Sequence, residues 1–320
     1  MSMATMLPDR TIDASDVFGV STNWMIPAFT ERDEHVPPPD ASFRFSPAIT
    51  KAVLLGFAHN RRVYIHGPHG SGKTSHVEQI AARLNWPCVR INLDGHVTRA
   101  DLVGRDMVVV REGKQVTEFV PGMLVWALER PIALVFDEYD VGRPDVMFVI
   151  QRLLEAEGAL TLLDQNRVIT PHPAFRMFAT ANTAGQGDPS GLYAGTQMLN
   201  QAQMDRWHVI AELGYMKADE EEKILRSRAP ALSPEDAHRM VELATLCRLA
   251  YSQGDLSSLV SLRTLVTWSD NYFLVGDMAE AFRLAFFNRC DETERPLLLE
   301  FYQRCFAKEL SSGNDASSIF

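Results

Sequence analysis

Residues 62–74 read RVYIHGPHGSGKT, and this stretch decides the fold. A short strand-forming run, 62–66, leads directly into a glycine-rich loop that fits the pattern G-x-x-x-x-G-K-[ST]. A helix-forming segment follows through about residue 84. The alternative interpretation, a flexible glycine-rich turn, would require neither a strand before the loop nor a helix after it. The order of strand, loop and helix therefore predicts a phosphate-binding loop.

The residue types of this loop suit a nucleoside triphosphate. Glycines let backbone N–H groups turn inward around phosphate oxygens, where a side chain would block the approach. The N-terminus of the following helix directs its N–H groups and its dipole at the same anion. The Lys73 ammonium is predicted to reach the β- and γ-phosphates, and the Thr74 hydroxyl to help hold Mg²⁺. The predicted ATP-binding residues of the loop are Gly67, Pro68, His69, Gly70, Ser71, Gly72, Lys73, Thr74 and Ser75.

The most apolar predicted strand, 132–136, leads straight into Asp137 and Glu138. In a phosphate-loop protein, the strand beside the loop ends in an acidic residue that completes the Mg²⁺ shell, so Asp137 is predicted to bind the nucleotide's metal together with Thr74. Glu138 then lies near the γ-phosphate and is predicted to act as the general base that polarises the attacking water. Without a phosphate loop in the same chain, an Asp-Glu pair after an apolar run would more often mark the end of a strand at a solvated turn. Because a kinase must exclude water, this glutamate indicates an ATPase rather than a small-molecule kinase.

Three further polar residues are predicted to surround the γ-phosphate. Asn182 ends a predicted strand, where an amide can hold the lytic water, although it would also suit a turn. Arg206 precedes the last strand and is placed to face a neighbour's nucleotide in a ring; the alternative is a surface ion pair with Asp205. Arg263 begins a helix and is predicted to contact a γ-phosphate, the alternative being a solvated helix start.

Strands alternate with helices in the first two thirds of the chain, which predicts a parallel sheet with helices on both faces. The predicted strands are 62–66, 88–92, 132–136, 175–180 and 207–210, and two β-hairpins, 108–119 and 160–170, interrupt the alternation. From about residue 216 the pattern is helical only. The fold class is α/β, with a five-stranded parallel sheet, two hairpin insertions and a small all-helical lid. The predicted domains are an irregular N-terminal arm (1–45), the nucleotide-binding domain (46–214), the lid (215–310) and a flexible tail (311–320).

Composition limits the classes of function. The chain has 320 residues, which suffice for two domains, and a formal net charge of -10, which argues against binding nucleic acid through its phosphates. No apolar run is long enough to span a membrane. The cysteines lie far apart and include no C-x-x-C pair, which favours idle thiols in a reducing compartment and a cytoplasmic location. They are Cys88, Cys247, Cys290 and Cys305.

The ordered set of phosphate loop, Asp-Glu pair, amide and two arginines resembles the AAA+ superfamily over roughly residues 45 to 310. Two hairpins at these positions resemble the insertions of the MoxR and metal-chelatase branch, as do the runs Leu153-Leu154-Glu155, Glu157-Gly158 and Gln203-Met204-Asp205-Arg206-Trp207. The whole chain, including the arm from Asp16 to Pro27, is similar to the small AAA+ subunits of aerobic, ATP-dependent cobaltochelatases.

This resemblance implies roles for the candidate residues. It makes Thr74 and Asp137 the Mg²⁺ ligands, Glu138 the base, Asn182 sensor 1, Arg206 the arginine finger and Arg263 sensor 2, acting in its own or a neighbour's site. It implies ATP and Mg²⁺ as cofactors, and a homo-oligomeric ring, typically hexameric. It also implies a second subunit with a metal-binding adhesion domain and a large subunit that binds the tetrapyrrole, hydrogenobyrinic acid a,c-diamide, and receives Co²⁺. The Asp-x-Ser-x-Ser motif of the adhesion domain is missing, since the nearest run, 255–259, ends in leucine.

Two other functions stay open on the sequence. A chaperone-like AAA+ module that matures another metalloenzyme or complex, as MoxR relatives do, would differ only in its partner. A nucleic-acid remodeller or transcription activator is disfavoured by the acidic charge and by the lack of a basic stretch with interleaved aromatic residues. The leading hypothesis is an ATPase that drives cobalt insertion, with no membrane and no nucleic acid among its partners.

Overall fold

The chain alternates strands and helices up to Glu212, and the elements described from Ala218 onward are helices. The structure, a computed structural model, describes residues 6–155, 158–187, 195–308 and 310, and of Asp164 it describes the backbone alone. Glu157 of the family pattern and the tail 311–320, predicted to be flexible, lie outside the described residues. The strands are β1 (Arg10–Asp13), β2 (Met25–Ala28), β3 (Val63–His66), β4 (Cys88–Asn92), β5 (Gly104–Arg111), β6 (Lys114–Pro121), β7 (Ala133–Asp137), β8 (Leu160–Leu162), β9 (Arg167–Ile169), β10 (Arg176–Ala181) and β11 (Val209–Glu212). The helices are α1 (Ala14–Phe18), α2 (Pro47–His59), α3 (Lys73–Arg83), α4 (Arg99–Val103), α5 (Met123–Leu128), α6 (Pro144–Leu154), α7 (Gln201–Met204), α8 (Ala218–Arg228), α9 (Pro234–Gln253), α10 (Leu262–Val275), α11 (Met278–Ala285) and α12 (Arg295–Phe306).

Five strands form one parallel sheet in the order β11, β3, β10, β7, β4. This confirms the predicted five-stranded sheet, and every predicted strand overlaps the observed one. Because the strands are parallel, their carboxyl ends lie at one edge of the sheet. β10 lies between β3 and β7, so the residues that follow these three strands meet at that edge.

Both faces of the sheet are buried. Along β7, Leu134 and Phe136 belong to a cluster with residues of α5 and α6, whereas Ala133 and Val135 belong to a cluster with residues of α2 and α3. Successive side chains of a strand point to opposite faces, so a strand covered on both sides needs apolar residues at every position. This requirement explains why 132–136 is a continuous apolar run.

Part of the N-terminal arm, residues 10–28, has regular secondary structure, which corrects the prediction of an irregular segment there. β1 and β2 pair antiparallel. Phe18, Ile26 and Phe29 are buried in the same cluster as α2 and α3, so the arm lies on the core. β1 shows no alternation of buried and exposed residues, and β2 contains Pro27, so neither strand has the usual sequence signal.

Both predicted hairpins are present. β5 and β6 pair antiparallel over their whole length, and Glu112 and Gly113 close the turn with φ values of 50° and 78°. Two consecutive left-handed residues are typical of the tight turns whose twist matches that of paired strands. β8 and β9 also pair antiparallel, and a 3₁₀ turn, Leu163–Gln165, follows β8. The insertions lie outside the parallel sheet and leave its strand order unchanged.

The chain divides into two compact units. The first contains β1–β11 and α1–α7, and the second contains α8–α12 together with Ser42–Arg44 and the loop residues His69–Ser71. The long segments of the two units meet in sequence between Gly214 and Tyr215. Within the described residues, no helix combines the length and the apolar character that crossing a membrane requires.

The helical unit has its own core and a buried ion pair. Tyr302 stacks on Phe306, with ring centroids 4.6 Å apart. Arg248 Nη1 lies 2.8 Å from Glu221 Oε2, and the two side chains are only 9% and 2% exposed. Arg248 Nε also donates to the carbonyl of Val260 at 2.8 Å. The pair ties α8 to α9, and losing one partner would leave an uncompensated charge inside the unit.

Candidate active site

The phosphate loop connects β3 to α3 and depends on glycine for its conformation. Gly67, Gly70 and Gly72 have φ values of 146°, 74° and 90°. A Cβ on Gly67 would lie 2.1 Å from the carbonyl oxygen of Leu213, so both its φ and the close approach of this backbone require glycine there. α3 begins at Lys73, and the N–H groups of its first turn point toward the loop.

The Lys73 ammonium lies within the loop. Its Nζ donates to the carbonyls of Gly67 and Pro68 at 2.8 and 3.0 Å, and to Asn182 Oδ1 at 3.2 Å. Burial lowers the pKa of Lys73 to about 8, although the nearby carboxylates of Asp137, Asp140 and Glu138 act in the opposite direction. The group is therefore still mainly protonated at pH 7 and provides a buried positive charge for an anion.

Oxygen ligands suitable for a hard cation gather at Asp137. Thr74 Oγ1 donates to Asp137 Oδ1 at 2.9 Å, and the Thr180 hydroxyl donates to the same oxygen. Arg90 Nη1 lies 3.5 Å from Asp137 Oδ2. The structure thus brings Thr74 and Asp137 together as the sequence analysis required, and hydroxyl and carboxylate oxygens are ligands that Mg²⁺ prefers.

Glu138 follows in an unusual backbone conformation. Its φ and ψ are 56° and 44°, a left-handed geometry that few residues other than glycine adopt, and a 3₁₀ turn, Tyr139–Val141, comes next. The turn leads the chain away from the end of β7 while Glu138 stays at the edge of the sheet. No hydrogen-bond or ion-pair partner holds the Glu138 carboxylate among the described residues, so it is available to accept a proton from water.

Asn182 lies directly after β10, and its amide oxygen accepts the hydrogen bond from Lys73 Nζ at 3.2 Å. A residue that the sequence analysis missed holds this position: the fully buried Asp140 accepts from the backbone N–H groups of Asn182 and Thr183 at 3.0 and 2.8 Å. The only local signal for Asp140 was an acidic residue close after the Asp-Glu pair. Its partners are distant in sequence, so they could not be identified from the motif.

Arg206 lies just after α7 and does not contact the Lys73 group within the described part of the chain. Its Nη2 is 3.7 Å from Glu155 Oε1, its side chain is 30% exposed, and its Nη1 donates to the carbonyl of Ala202. The ion-pair partner is therefore Glu155 and not Asp205, the alternative weighed on the sequence. This position is compatible with an arginine that acts outside its own site, and that role stays a prediction.

Arg263 belongs to the second unit. It is exposed in the first turn of α10, whose N-cap, Ser261, accepts a hydrogen bond from the backbone N–H of Thr264 at 3.2 Å. Its contact with a γ-phosphate, in either its own or a neighbour's site, stays a prediction.

His76 is a second residue that the sequence analysis missed. It is fully buried, its Nε2 accepts from the backbone N–H of Ser46 at 3.1 Å, and its Nδ1 lies 3.0 Å from the carbonyl oxygen of Gly72. An Nε2 that accepts leaves the ring proton on Nδ1, so the neutral ring donates to Gly72. Burial lowers the pKa of His76 and thereby favours this neutral form. The ring connects the start of α2 to the end of the phosphate loop.

Three family models match the chain. They are the AAA domain (dynein-related subfamily) over residues 62–197, the cobaltochelatase CobS subunit N terminal over 3–36, and the CbbQ/NirQ/NorQ C-terminal model over 221–290. Over 308 residues, which make up 95% of this chain and 93% of the relative, the sequence is 56% identical to the aerobic cobaltochelatase subunit CobS of Sinorhizobium sp. The chain belongs to the CobS family. This membership confirms the resemblance that the motifs indicated.

More distant relatives share the CobS-family core. Midasin of Dictyostelium discoideum is 32% identical over 189 residues, which cover 59% of this chain and 3% of that protein. Among solved structures, the RuvB Holliday junction branch migration motor of Thermotoga maritima covers 81% of this chain and 74% of its own, with a TM-score of 0.50 and 15% identity. A mutant of that RuvB covers 82% and 76%, with a TM-score of 0.52 and 15% identity. At this identity the likeness shows the fold alone, and it confirms the α/β AAA+ core followed by helices.

Proposed function

We propose that this chain is the ATP-hydrolysing subunit of an aerobic cobaltochelatase, in which ATP hydrolysis drives the insertion of Co²⁺ into hydrogenobyrinic acid a,c-diamide during cobalamin biosynthesis. The observation that carries the proposal is the meeting of Lys73, Asn182 and Asp137 at one edge of the sheet. The 56% identity to a CobS subunit along 95% of the chain supports the choice of reaction.

The candidate residues divide the hydrolytic step among them. Backbone N–H groups of the loop and the Lys73 ammonium would bind the phosphates, and Thr74 and Asp137 would be ligands of Mg²⁺. The metal, when bound, neutralises charge on the β- and γ-phosphates. The Glu138 carboxylate accepts a proton from the attacking water, and the Asn182 amide orients that water toward the γ-phosphate.

The proposal extends to assembly. Arg206 would complete the site of a neighbouring copy in a ring, which we expect to be hexameric, and Arg263 would contact the γ-phosphate in its own or a neighbour's site. A second subunit with a metal-binding adhesion domain and a large tetrapyrrole-binding subunit would be the partners, with neither nucleic acid nor membrane involved. The free thiols of Cys88, Cys247, Cys290 and Cys305 are compatible with a cytoplasmic location.

Reconstitution tests the proposed function. Purified chain is combined with candidate adhesion-domain and tetrapyrrole-binding subunits, Co²⁺ and the corrin precursor, and corrin absorbance is followed with and without ATP. We expect Lys73→Ala to abolish nucleotide binding and Glu138→Gln to retain binding but abolish hydrolysis, and both to stop chelation. The exposed Glu220→Gln and Lys308→Ala provide controls of matching chemistry. Cobalt insertion at the normal rate by a Glu138→Gln protein that hydrolyses no ATP would contradict the proposal.

A further inference from the structure

The Asp140 carboxylate is fully buried, and its hydrogen bonds with the described residues converge on one oxygen. Oδ2 accepts from Asn182 N at 3.0 Å, from Thr183 N at 2.8 Å and from Thr183 Oγ1 at 2.9 Å. The other oxygen, Oδ1, is also buried and has no hydrogen-bond partner among the described residues. One acceptor atom therefore receives three hydrogen bonds from the turn that follows β10.

The path of the chain after β7 explains why a side chain is needed here. β10 pairs with β7 in register, with Ala179 opposite Phe136. Beyond Asp137 the left-handed Glu138 turns the chain into the 3₁₀ turn, so β7 no longer offers its backbone as a partner. The partly buried N–H groups of Asn182 and Thr183 need another acceptor, and Asp140 provides it from within that turn.

The turn after β10 is held from more than one direction. Tyr64 Oη donates to the carbonyl of Thr183 at 2.9 Å, and the N–H of Gln197 donates to the carbonyl of Asp140 at 2.7 Å. The outcome is a fixed backbone at Asn182, whose amide oxygen lies 3.2 Å from Lys73 Nζ. Asp140 thus connects the end of the acidic strand to the amide that faces the phosphate loop.

We propose that Asp140 is a positioning residue for ATP hydrolysis, which fixes the backbone of Asn182 and Thr183 so that the Asn182 amide stays beside Lys73 and the attacking water. The inference rests on the proposed ATPase function and adds a residue that acts through Asn182 without touching the nucleotide. Because the phosphate loop itself is unchanged, Asp140 is needed for turnover rather than for ATP affinity.

Three variants separate the acceptor atom from the charge. Asp140→Ala removes the acceptor, and we expect the kcat for ATP to fall about tenfold to a hundredfold while KM changes less than about threefold, as for a catalytic group displaced by a fraction of an ångström. Asp140→Asn keeps an oxygen in the Oδ2 position, so its kcat is expected within about threefold of wild type, although its buried NH₂ lowers the thermal midpoint. Thr183→Val removes the hydroxyl that donates to Asp140 Oδ2 and accepts from the N–H of Gly185 at 3.3 Å, and its kcat is expected to fall between those of the two Asp140 variants. The exposed Asp145→Ala serves as the matched control.

A second readout needs no ATP. Hydrogen exchange at the backbone N–H groups of Asn182 and Thr183, followed in a peptide that spans them, should accelerate in Asp140→Ala and stay slow in Asp140→Asn and Asp145→Ala. This measurement separates the inference from the proposed function: a wild-type chain that hydrolyses no ATP overturns the function, whereas unchanged exchange in Asp140→Ala overturns the positioning role.

The kinetic results for the variants also test the positioning role of Asp140. An Asp140→Asn variant as slow in turnover as Asp140→Ala would show that charge, rather than the acceptor, is what matters, and would overturn the inference. So would an Asp140→Ala variant with raised KM and unchanged kcat. If Asp140→Ala does not fold, Thr183→Val decides: wild-type kcat together with wild-type exchange at Asn182 overturns the role, and slower turnover with faster exchange supports it.

Discussion

Replacing Gly67 by alanine tests whether the phosphate loop is shaped by the backbone beside it. The new Cβ would lie 2.1 Å from the carbonyl oxygen of Leu213, whereas an ordinary contact is about 3.5 Å. The carbonyl cannot simply retreat, because the N–H of Leu213 is bonded to the carbonyl of His66 at 2.8 Å. One of the two segments must therefore move by about 1 Å, and alanine must also adopt a φ of 146°.

Both effects can be converted into expected magnitudes. A strained φ costs about 1 to 3 kcal/mol, and forcing atoms into a packed site costs about as much again. We expect the free energy of unfolding to fall by about 2 to 6 kcal/mol. A shift of about 1 Å at a loop that positions phosphates is expected to lower ATP turnover about a hundredfold.

Denaturant unfolding and steady-state ATPase kinetics measure these effects in Gly67→Ala. The matched control is Gly214→Ala, one residue beyond Leu213, where a Cβ would meet nothing within 4 Å. That control should stay within about 0.5 kcal/mol of wild type. A Gly67→Ala protein with wild-type stability and turnover would refute the argument that this close approach sets the loop.

Three further predictions concern ion pairs and protonation. Glu155→Gln should lower the free energy of unfolding by less than about 1 kcal/mol, because the pair with Arg206 is partly exposed. It should nevertheless slow ATP turnover of the assembled protein about tenfold in steady-state assays. The reason is that it releases Arg206, the proposed arginine finger, and such an arginine can raise kcat by about 10³ to 10⁵. Glu221→Gln should lower the free energy of unfolding of the helical unit by about 3 to 5 kcal/mol in denaturant titrations, because it leaves Arg248 charged and buried. Burial lowers the pKa of His208 below its ordinary value of 6.5, so as the pH falls the unfolded chain binds this proton before the folded chain does. The free energy of unfolding should therefore decrease as the pH drops below 6.5. His208→Asn should weaken that pH dependence in unfolding experiments at a series of pH values.

Each of these predictions has a control or a contradicting result. Glu155→Gln should add nothing to Arg206→Ala in a double-mutant cycle, and additive losses would show that Glu155 acts elsewhere. Glu220→Gln, an exposed neighbour of Glu221, should leave stability unchanged. A His208→Asn protein with an unaltered pH dependence would assign that dependence to other groups.

The parallel sheet and the residues at its edge could be predicted because their signals are local. Lys73 and Thr74 belong to one short motif, and Asp137 ends one apolar run. Alternation of strands and helices then implies parallel strands, whose carboxyl ends meet, so a pattern in sequence becomes a cluster in space. The roles of these residues stay predictions, while their proximity is a property of the structure.

What escaped prediction depends on contacts between distant segments or on very short elements. Asp140 accepts from Asn182, 42 positions away, and His76 accepts from Ser46, 30 positions away, so the sequence near them does not mark these contacts. In the N-terminal arm, β1 lacks an alternating burial pattern and β2 contains a proline, so the usual signals of a strand are missing. The alternative considered for Arg206, an ion pair with Asp205, named the wrong partner, because spacing alone cannot show that Glu155 at the end of α6 lies beside Arg206.

The backbone at Glu138 lies between the groups that hold the proposed base and those that hold the proposed sensing amide. A left-handed glutamate is strained, and such a conformation persists only where the surroundings determine it on both sides. Here Asp137 is held by the hydroxyls of Thr74 and Thr180 before the turn, and Asp140 is held by the backbone of the next strand after it. The same turn therefore sets the direction of the proposed base and the position of the sensing amide. A change that relaxes it must alter both at once, so a variant with a displaced base but an unaffected sensor is not expected from mutations in 137–140.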